Sequence, residues 1–170
     1  MFCAAVFVVI GESANAGGLM TRWASQVDPS APWPEYPRPH LARTVWSNLN
    51  GRWDYAIADA EAPAPARWDG QILVPFPVES ALSGVKKPLT AQQALWYRRT
   101  FAAGDLPPNH RLLLHFGAVD WEAVVWVNGH KLGIHRGGYD GFSFDITDVL
   151  NAEGANEVVV RVWDPTGTDG

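Results

Sequence analysis

Residues 112–129 read LLLHFGAVDWEAVVWVNG, and this stretch holds two apolar runs with a turn pair at its end. Apolar residues occupy every second position over 112–116, which is the period of a strand that buries one face. The run 123–127 leads directly into Asn128-Gly129, and both of those residues tolerate positive φ. That pair is the strongest short signal for a two-residue hairpin turn. The stretch therefore predicts two strands and the beginning of a hairpin.

The two-residue period continues outward from this stretch in both directions. Upstream, Trp53, Tyr55 and Ile57 share one face of a predicted strand. Turn residues separate the runs at intervals of roughly ten residues, and no long segment has the 3.6-residue period of a helix. Further strands are predicted for residues 71–74, 95–101, 131–135, 142–146 and 158–163. The chain is therefore predicted to be all-β, with an antiparallel β-sandwich fold.

The composition is typical of a single globular domain. Of 170 residues, 47% are hydrophobic and 18% are charged, which suits a packed core and contradicts disorder. The net charge of -5 argues against a nucleic-acid partner, because neutralising phosphates requires clustered Lys and Arg. No apolar stretch reaches about 18 residues, so neither a membrane-spanning helix nor a membrane partner is predicted.

The first 43 residues are predicted to precede the sandwich. Residues 1–16 combine an apolar run at 2–10 with an Ala-Asn-Ala cleavage pattern, as expected of a signal peptide on a periplasmic or secreted protein. No Lys or Arg precedes that run, which leaves an ordinary buried segment as the alternative. The only cysteine, Cys3, lies in this segment, so the mature domain would contain no disulfide. Residues 17–43 are rich in proline, which cannot donate to a strand ladder, and they are predicted to form an extended lead-in to a sandwich over 44–170.

The sequence holds no self-contained catalytic or metal-binding motif. Neither G-x-S-x-G nor H-E-x-x-H occurs, and the histidines do not pair at metal-ligand spacing. Glycoside hydrolysis uses two carboxylates, about 5 Å apart when configuration is retained. Asp120 with Glu122, on one side of a strand entrance, and Asp145 with Asp148, at a turn, both lack the apolar setting that raises a carboxyl pKa. We therefore predict no catalytic residue, no metal site and no cofactor in this chain.

Several motifs in order along the chain resemble one known family. They are PRP at 37–39, NLNG at 48–51, the segment 74–84, the stretch 112–129, HRGGY at 135–139 and FSFDIT at 142–147. Together they are similar to the N-terminal sugar-binding domain of the family 2 glycoside hydrolases, which include β-galactosidases and β-glucuronidases. The resemblance implies a jelly-roll β-sandwich of the galactose-binding type.

The same resemblance implies an activity that lies outside this chain. In the family, the sandwich is followed by an immunoglobulin-like domain and a (β/α)8 barrel, and both catalytic glutamates of the retaining mechanism lie on the barrel. The chain ends at Gly170, before any such barrel. We therefore expect the chain alone to be inactive, and the parent protein to be a β-galactosidase-like hydrolase in carbohydrate metabolism with a glycoside as its partner.

Two residues carry a substrate-binding hypothesis. The resemblance implies that an aspartate at the end of the last long strand reaches the sugar site of the barrel, and Asp164 matches that position. The alternative is an ordinary Asp-Pro turn that ends a strand. Glu79 lies in a loop that approaches the barrel in the family, although a loop glutamate is more often simply solvated. Asp164 and Glu79 are the predicted substrate-binding residues.

Two further functions remain open from the sequence. A free-standing carbohydrate-binding module would use exposed aromatic residues to stack on a glycan, and the candidates are Trp68, Trp96, Trp121 and Tyr139. Such a module binds sugar alone, whereas a docking module exposes an apolar patch where the barrel would lie. An adhesion sandwich of the same fold is a third possibility, which the density of family motifs disfavours.

Overall fold

The computed structural model describes residues 20–34, 45–151 and 153–165. Within these residues the chain forms eight strands and only single turns of 3-10 helix, at Ala24–Gln26, Ala81–Ser83 and Thr147–Val149. The strands are β1 (Gly51–Asp59), β2 (Gly70–Val74), β3 (Gln93–Phe101), β4 (Leu113–Phe116), β5 (Glu122–Val127), β6 (His130–Arg136), β7 (Phe142–Asp145) and β8 (Asn156–Trp163). The prediction of an all-β fold is confirmed. No helix in the described ranges is long and apolar enough to span a membrane.

The strands form two sheets, and every pairing is antiparallel. The large sheet has the order β2-β1-β3-β8-β5-β6, and β4 pairs with β7 in a small second sheet. Two pairings join consecutive strands, β1 with β2 and β5 with β6, whereas β8 lies between β3 and β5, both of which are distant from it in sequence. The centre of the sheet is therefore held together by long-range pairing.

The core lies between the two sheets and is built from the alternating residues that the sequence marks. Trp53, Val125 and Val158 of the large sheet are buried against Leu114 of β4 and the nearby Ile146. Each large aliphatic side chain buried in this way contributes about 1.5–3 kcal/mol relative to an exposed one. The two-residue period is therefore explained, because only one side of each strand faces the partner sheet.

The β5–β6 hairpin forms as the Asn-Gly pair predicts. Asn128 and Gly129 have φ values of 49° and 78°, and Val127 pairs with His130 across the turn. Asn128 also ties the hairpin to β8, because its backbone N–H donates to the carbonyl oxygen of Glu157 at 2.9 Å. The return strand runs one residue further at each end than the predicted 131–135.

The outer face of the large sheet is more buried than the alternation suggests. Trp96, one of the aromatics predicted to be exposed for a binding module, has only 3% of its surface accessible. It stacks on Trp126 with ring centroids 5.5 Å apart, and these two indoles lie on the strands that flank β8. Trp96 is therefore a packing residue, and its assignment as a glycan-stacking residue is wrong.

The described part of the lead-in forms turns instead of an extended segment. Asp28 accepts hydrogen bonds from the backbone N–H and hydroxyl of Ser30 at 2.8 and 2.7 Å, which closes a local turn. Asn48 and Asn50 then donate to the carbonyl oxygens of Trp33 and Pro32, so 20–34 is attached to the start of the sandwich. Proline excludes a ladder but also suits turns, and here side-chain acceptors select the turns. The signal-peptide prediction for 1–16 falls outside the described residues.

Candidate functional site

A cavity of about 890 Å³ lies over the inner face of the large sheet. Its floor consists of inward side chains of β1, β3 and β8, among them Trp53, Leu95 and Val160. One wall is the segment 74–89, which connects β2 to β3, and the other is the loop 116–121, which connects β4 to β5. We refer to this space as the inner-face cavity.

Glu79 reaches this cavity from a wall that a buried serine holds in place. Ser83, 2% accessible, donates from its hydroxyl to the carbonyl oxygens of Val78 and Ser80 at 3.0 and 2.8 Å and accepts from the N–H of Val85. The Ser80 side chain caps the short 3-10 turn that follows. The exposed Glu79 side chain therefore stands on a fixed loop at the rim of the inner-face cavity.

Asp164 reaches the same cavity from the end of β8. The preceding residue, Trp163, pairs with Ala94 of β3 and Glu122 of β5, and its indole N–H donates to the Ala91 carbonyl at 2.8 Å. Asp164 is partly buried and lines the cavity. The two residues predicted to bind substrate, 85 positions apart, thus line one space. That either of them contacts a substrate stays a prediction.

The cavity also brings together Asp120, which the sequence did not assign to a binding site, and two of the aromatics predicted as candidates for glycan stacking. Asp120, Trp121 and Tyr139 line its wall, and Trp121 and Tyr139 are 37% and 97% accessible. Gly137 donates its N–H to the carbonyl oxygen of Trp121 at 3.0 Å. A Cβ on Gly138 would collide with the Asp120 carboxylate, so a larger residue there would displace this side chain. The Gly-Gly pair was the available signal for this contact.

Asp120 and Glu122 are separated, although the alternation predicts that they share one side of a strand entrance. β5 begins at Glu122, so Asp120 belongs to the preceding loop and the strand alternation does not extend to it. Glu122 is nearly buried and forms ion pairs with Arg136 at 2.8 Å and Arg161 at 3.3 Å. Asp120 lines the inner-face cavity instead. The two carboxylates therefore lie in different environments, Glu122 in an ion-pair cluster and Asp120 at the cavity.

Tyr97 projects from β3 into the cavity and changes its polarity. Burial and, to a smaller extent, the negative charge of Glu79 raise the pKa of the Tyr97 hydroxyl above its ordinary value. Its ring packs edge-on against Trp53, and within the described residues its hydroxyl has no hydrogen-bond partner. The cavity thus presents one neutral hydroxyl among the carboxylates.

The shifted pKa of Tyr97 predicts a loss of stability at alkaline pH. The unfolded chain ionises this tyrosine near its ordinary pKa of 10.0, whereas the folded protein holds it neutral to higher pH. The stabilisation is therefore complete below that pH and is lost as the pH rises above it. Between about pH 9 and 11 we expect wild type to lose more unfolding free energy than Tyr97→Phe in urea titrations. Equal losses would contradict the assignment.

The chemical character of the inner-face cavity is acidic and aromatic. Its charged lining residues are Glu79, Asp120 and Asp164, and no Lys, Arg or His is among the described residues that line it. Ionised carboxylates accept hydrogen bonds from hydroxyl groups, and exposed aromatic rings offer faces for stacking. Within the described ranges no group of three His, Cys, Asp or Glu residues is placed to hold a metal ion.

A smaller hollow of about 450 Å³ between the lead-in and β1 has a structural explanation. It is lined by Asp28, Arg52 and Arg99, among others. Arg99 donates from Nη1 to the carbonyl oxygens of Leu49 and Asn50 at 2.8 and 3.0 Å, and burial lowers the pKa of its guanidinium. The Arg99 guanidinium is occupied by these hydrogen bonds, which hold the segment before β1 in place. The inner-face cavity is therefore the stronger candidate for a binding site.

The fold and the cavity define a class of protein: an antiparallel β-sandwich domain with a ligand-sized site over its inner face. The family described as glycosyl hydrolases family 2, sugar binding domain, matches residues 72–168, more than half of the chain. The chain belongs to this family.

Known relatives and solved structures agree with that membership. A β-glucuronidase of Paenibacillus borealis is 28% identical over 133 residues, covering 75% of this chain and 22% of the relative. A β-galactosidase of Bacteroides ovatus is 30% identical over 127 residues, covering 68% of this chain and 15% of the relative. The solved β-glucuronidase of Faecalibacterium prausnitzii has a TM-score of 0.54 and 26% identity, covering 67% and 20% of the two chains. The chain spans about a fifth of the length of the curated relatives it matches.

Proposed function

We propose that this chain is the N-terminal domain of a retaining family 2 glycoside hydrolase, and that it completes the substrate site of a catalytic barrel. The observation that carries the proposal is that Glu79 and Asp164 line a single cavity in a domain of this family. The length of the relatives leaves room for the barrel and an immunoglobulin-like domain. In this arrangement the barrel supplies both catalytic glutamates.

The role of the domain is to position the substrate. The floor of the cavity is apolar and already nearly inaccessible in the isolated domain, with Trp53 and Leu95 7% and 3% accessible, so the barrel would cover the rim of the cavity. A carboxylate on a rigid strand end, such as Asp164, accepts hydrogen bonds from sugar hydroxyls and fixes their orientation. Water leaves the site as the barrel closes it, and those hydrogen bonds become stronger.

The test of this function compares the chain with the protein that its coding DNA specifies. We expect the reading frame to continue past Gly170 into a barrel, and the full protein to hydrolyse 4-nitrophenyl β-glycosides. The purified chain of residues 1–170 should release no nitrophenol, because the glutamates of the barrel are absent from it. Turnover by the isolated chain, or a full protein inactive on galactosides, glucosides, glucuronides and mannosides, would overturn the proposal.

A free-standing carbohydrate-binding module is the second candidate, and the accessible rings of Trp121 and Tyr139 favour it. A module of this kind would change its tryptophan emission when galactose or glucuronic acid is added at millimolar concentration, and Trp121→Phe would abolish the change. A docking domain is expected to show no such change. The outcome separates the two candidates without any knowledge of the barrel.

We also propose export to the periplasm or the medium. Support comes from the apolar run at 2–10 and the Ala-Asn-Ala pattern that follows it. Intact-mass analysis of the protein from its native host should show loss of the first 16 residues. A mature chain that retains Met1 would contradict export by this route.

A further inference from the structure

Glu122 is a nearly buried carboxylate on the outer face of the large sheet, and it lies between two arginines. Its side chain is 12% accessible. Oε2 of Glu122 lies 2.8 Å from both Nε and Nη2 of Arg136, and Oε1 lies 3.3 Å from Nη1 of Arg161. The Arg161 guanidinium, 15% accessible, also donates to the carbonyl oxygen of Ala60. We refer to the three charged side chains as the Glu122 cluster.

The Glu122 cluster lies where three neighbouring strands end. Glu122 is the first residue of β5, and it pairs with Arg136, the last residue of β6, and with Trp163, the last residue of β8. Beyond these paired residues the chain continues into the lining of the inner-face cavity, because Trp121 precedes β5 and Asp164 follows β8. The ion pairs therefore join the strand ends from which the cavity wall begins.

The neighbouring part of the wall depends on how these strand ends are held. Gly137, directly after Arg136, donates its N–H to the Trp121 carbonyl at 3.0 Å, and Gly138 lies against the Asp120 carboxylate. The Arg136 guanidinium also lies 5.9 Å from the centroid of the accessible Trp121 ring. Without the central carboxylate, two guanidinium groups would remain close together, and groups of like charge repel. Such a change would displace the strand ends and the wall with them.

We propose that Glu122 is a positioning residue, whose carboxylate holds Trp121 and the end of β8 in the arrangement that binds the sugar. This role rests on the proposed function, because it is expressed in turnover by the barrel. Glu122 is not among the described residues that line the cavity, so it acts through its neighbours. The catalytic glutamates lie elsewhere, on the barrel. Loss of the Glu122 charge should therefore weaken substrate binding and raise KM, with little change in kcat.

Glu122→Gln tests this role, because it keeps the shape of the side chain and removes its charge. In the full protein, KM for the preferred 4-nitrophenyl glycoside should rise about fivefold, with kcat within about twofold of wild type. In the chain of residues 1–170, deuterium exchange of the Gly137 amide, followed by NMR, should become about tenfold faster, since its acceptor is the Trp121 carbonyl.

Arg136 provides a second pair of variants, in which less burial is at stake because this side chain is 61% accessible. Arg136→Gln should raise KM about threefold and speed Gly137 exchange in the same direction. Arg136→Lys keeps the positive charge beside Glu122, and both quantities should stay within about twofold of wild type. Rescue by lysine but not by glutamine would tie the effect to the charge pair.

Asp54→Asn is the matched control, because it removes a carboxylate from another ion pair on the outer face of the same sheet. Asp54 Oδ2 lies 2.7 Å from Arg98 Nη2, and neither residue is among the described residues that line the cavity. Its KM and its Gly137 exchange should stay within about twofold of wild type, with the urea midpoint of every variant measured alongside.

The inference is overturned, and the proposed function left standing, by any of three results. These are unchanged Gly137 exchange in Glu122→Gln and Arg136→Gln, KM unchanged in both variants, or an equal rise of KM in Asp54→Asn. Should Glu122→Gln fail to fold, the two Arg136 variants decide by the same criteria. A full wild-type protein that hydrolyses none of the four classes of glycoside refutes the proposed function and the inference with it.

Discussion

Asn128→Ala is expected to lower the free energy of unfolding by about 3 kcal/mol. The Asn128 side chain donates to the Val149 carbonyl at 2.8 Å and to Asn156 Oδ1 at 2.7 Å, and it accepts from the Glu157 N–H at 2.9 Å. Alanine leaves the Glu157 N–H without its side-chain acceptor. A buried donor that loses its partner costs about 1–3 kcal/mol of stability. Alanine would also have to adopt φ 49° without the side-chain hydrogen bonds that allow asparagine to adopt it.

Asn109→Ala separates these two contributions. Asn109 also has positive φ, 64°, but its side chain forms no hydrogen bond within the described residues. We expect a loss of only about 1 kcal/mol there, from backbone strain alone. Asn128→Gly should fall between the two, since glycine accepts the backbone angle but makes no side-chain bonds. Urea unfolding followed by tryptophan fluorescence measures all three. Equal losses for Asn128→Ala and Asn109→Ala would show that the hydrogen bonds are unimportant.

Asp164→Ala is expected to reduce kcat/KM of the full protein at least about tenfold, equivalent to about 1.4 kcal/mol of transition-state stabilisation. Under the proposed function, the physical reason is the loss of a carboxylate at the end of β8 that would accept hydrogen bonds from the sugar. Asp164→Asn keeps one acceptor oxygen and should lose less. The effect should appear on neutral substrates, whose hydroxyl groups can donate to this carboxylate.

Stability must be measured together with activity for this variant, because Asp164 follows a strand that joins β3 and β5. Asp164 is partly buried directly after β8, so a loss of kcat/KM tests the substrate role only if the urea midpoint of the isolated chain stays close to that of wild type. Asp148→Ala, at the opposite end of β5, is the control and should retain wild-type kinetics. Unchanged kcat/KM in Asp164→Ala would remove Asp164 from the substrate site.

The strands and the hairpin could be predicted because each depends on residues close together in sequence. The alternation Trp53, Tyr55, Ile57 identifies a strand with one buried face wherever that strand pairs. Asn128-Gly129 specifies its own turn because both residues accept positive φ. The family motifs added the sandwich type and drew attention to Asp164 and Glu79. None of these inferences required knowledge of which strands are neighbours.

The burial of Trp96 could not be predicted from the pattern. Alternation separates the two sides of a strand, but it does not report whether the outer side is covered. Trp96 is buried because Trp126 lies on β5, which is separated from β3 only by β8. The different environments of Asp120 and Glu122 could not be predicted either. Strand β5 begins at Glu122, so Asp120 lies outside the alternation, and Glu122 forms an ion pair with Arg161 of the neighbouring strand β8.

The sequence by itself determined the fold class, the hairpin and the family, since these follow from side-chain period, turn chemistry and ordered motifs. Only the tertiary structure decided that Glu79, Asp120 and Asp164 share one cavity with Tyr97. These residues come from four separate segments of the chain. They meet because of the strand order β2-β1-β3-β8-β5-β6 and because the segments 74–89 and 116–121 both border the cavity. Long-range pairing is a property of the whole packed chain, and no local run of residues encodes it.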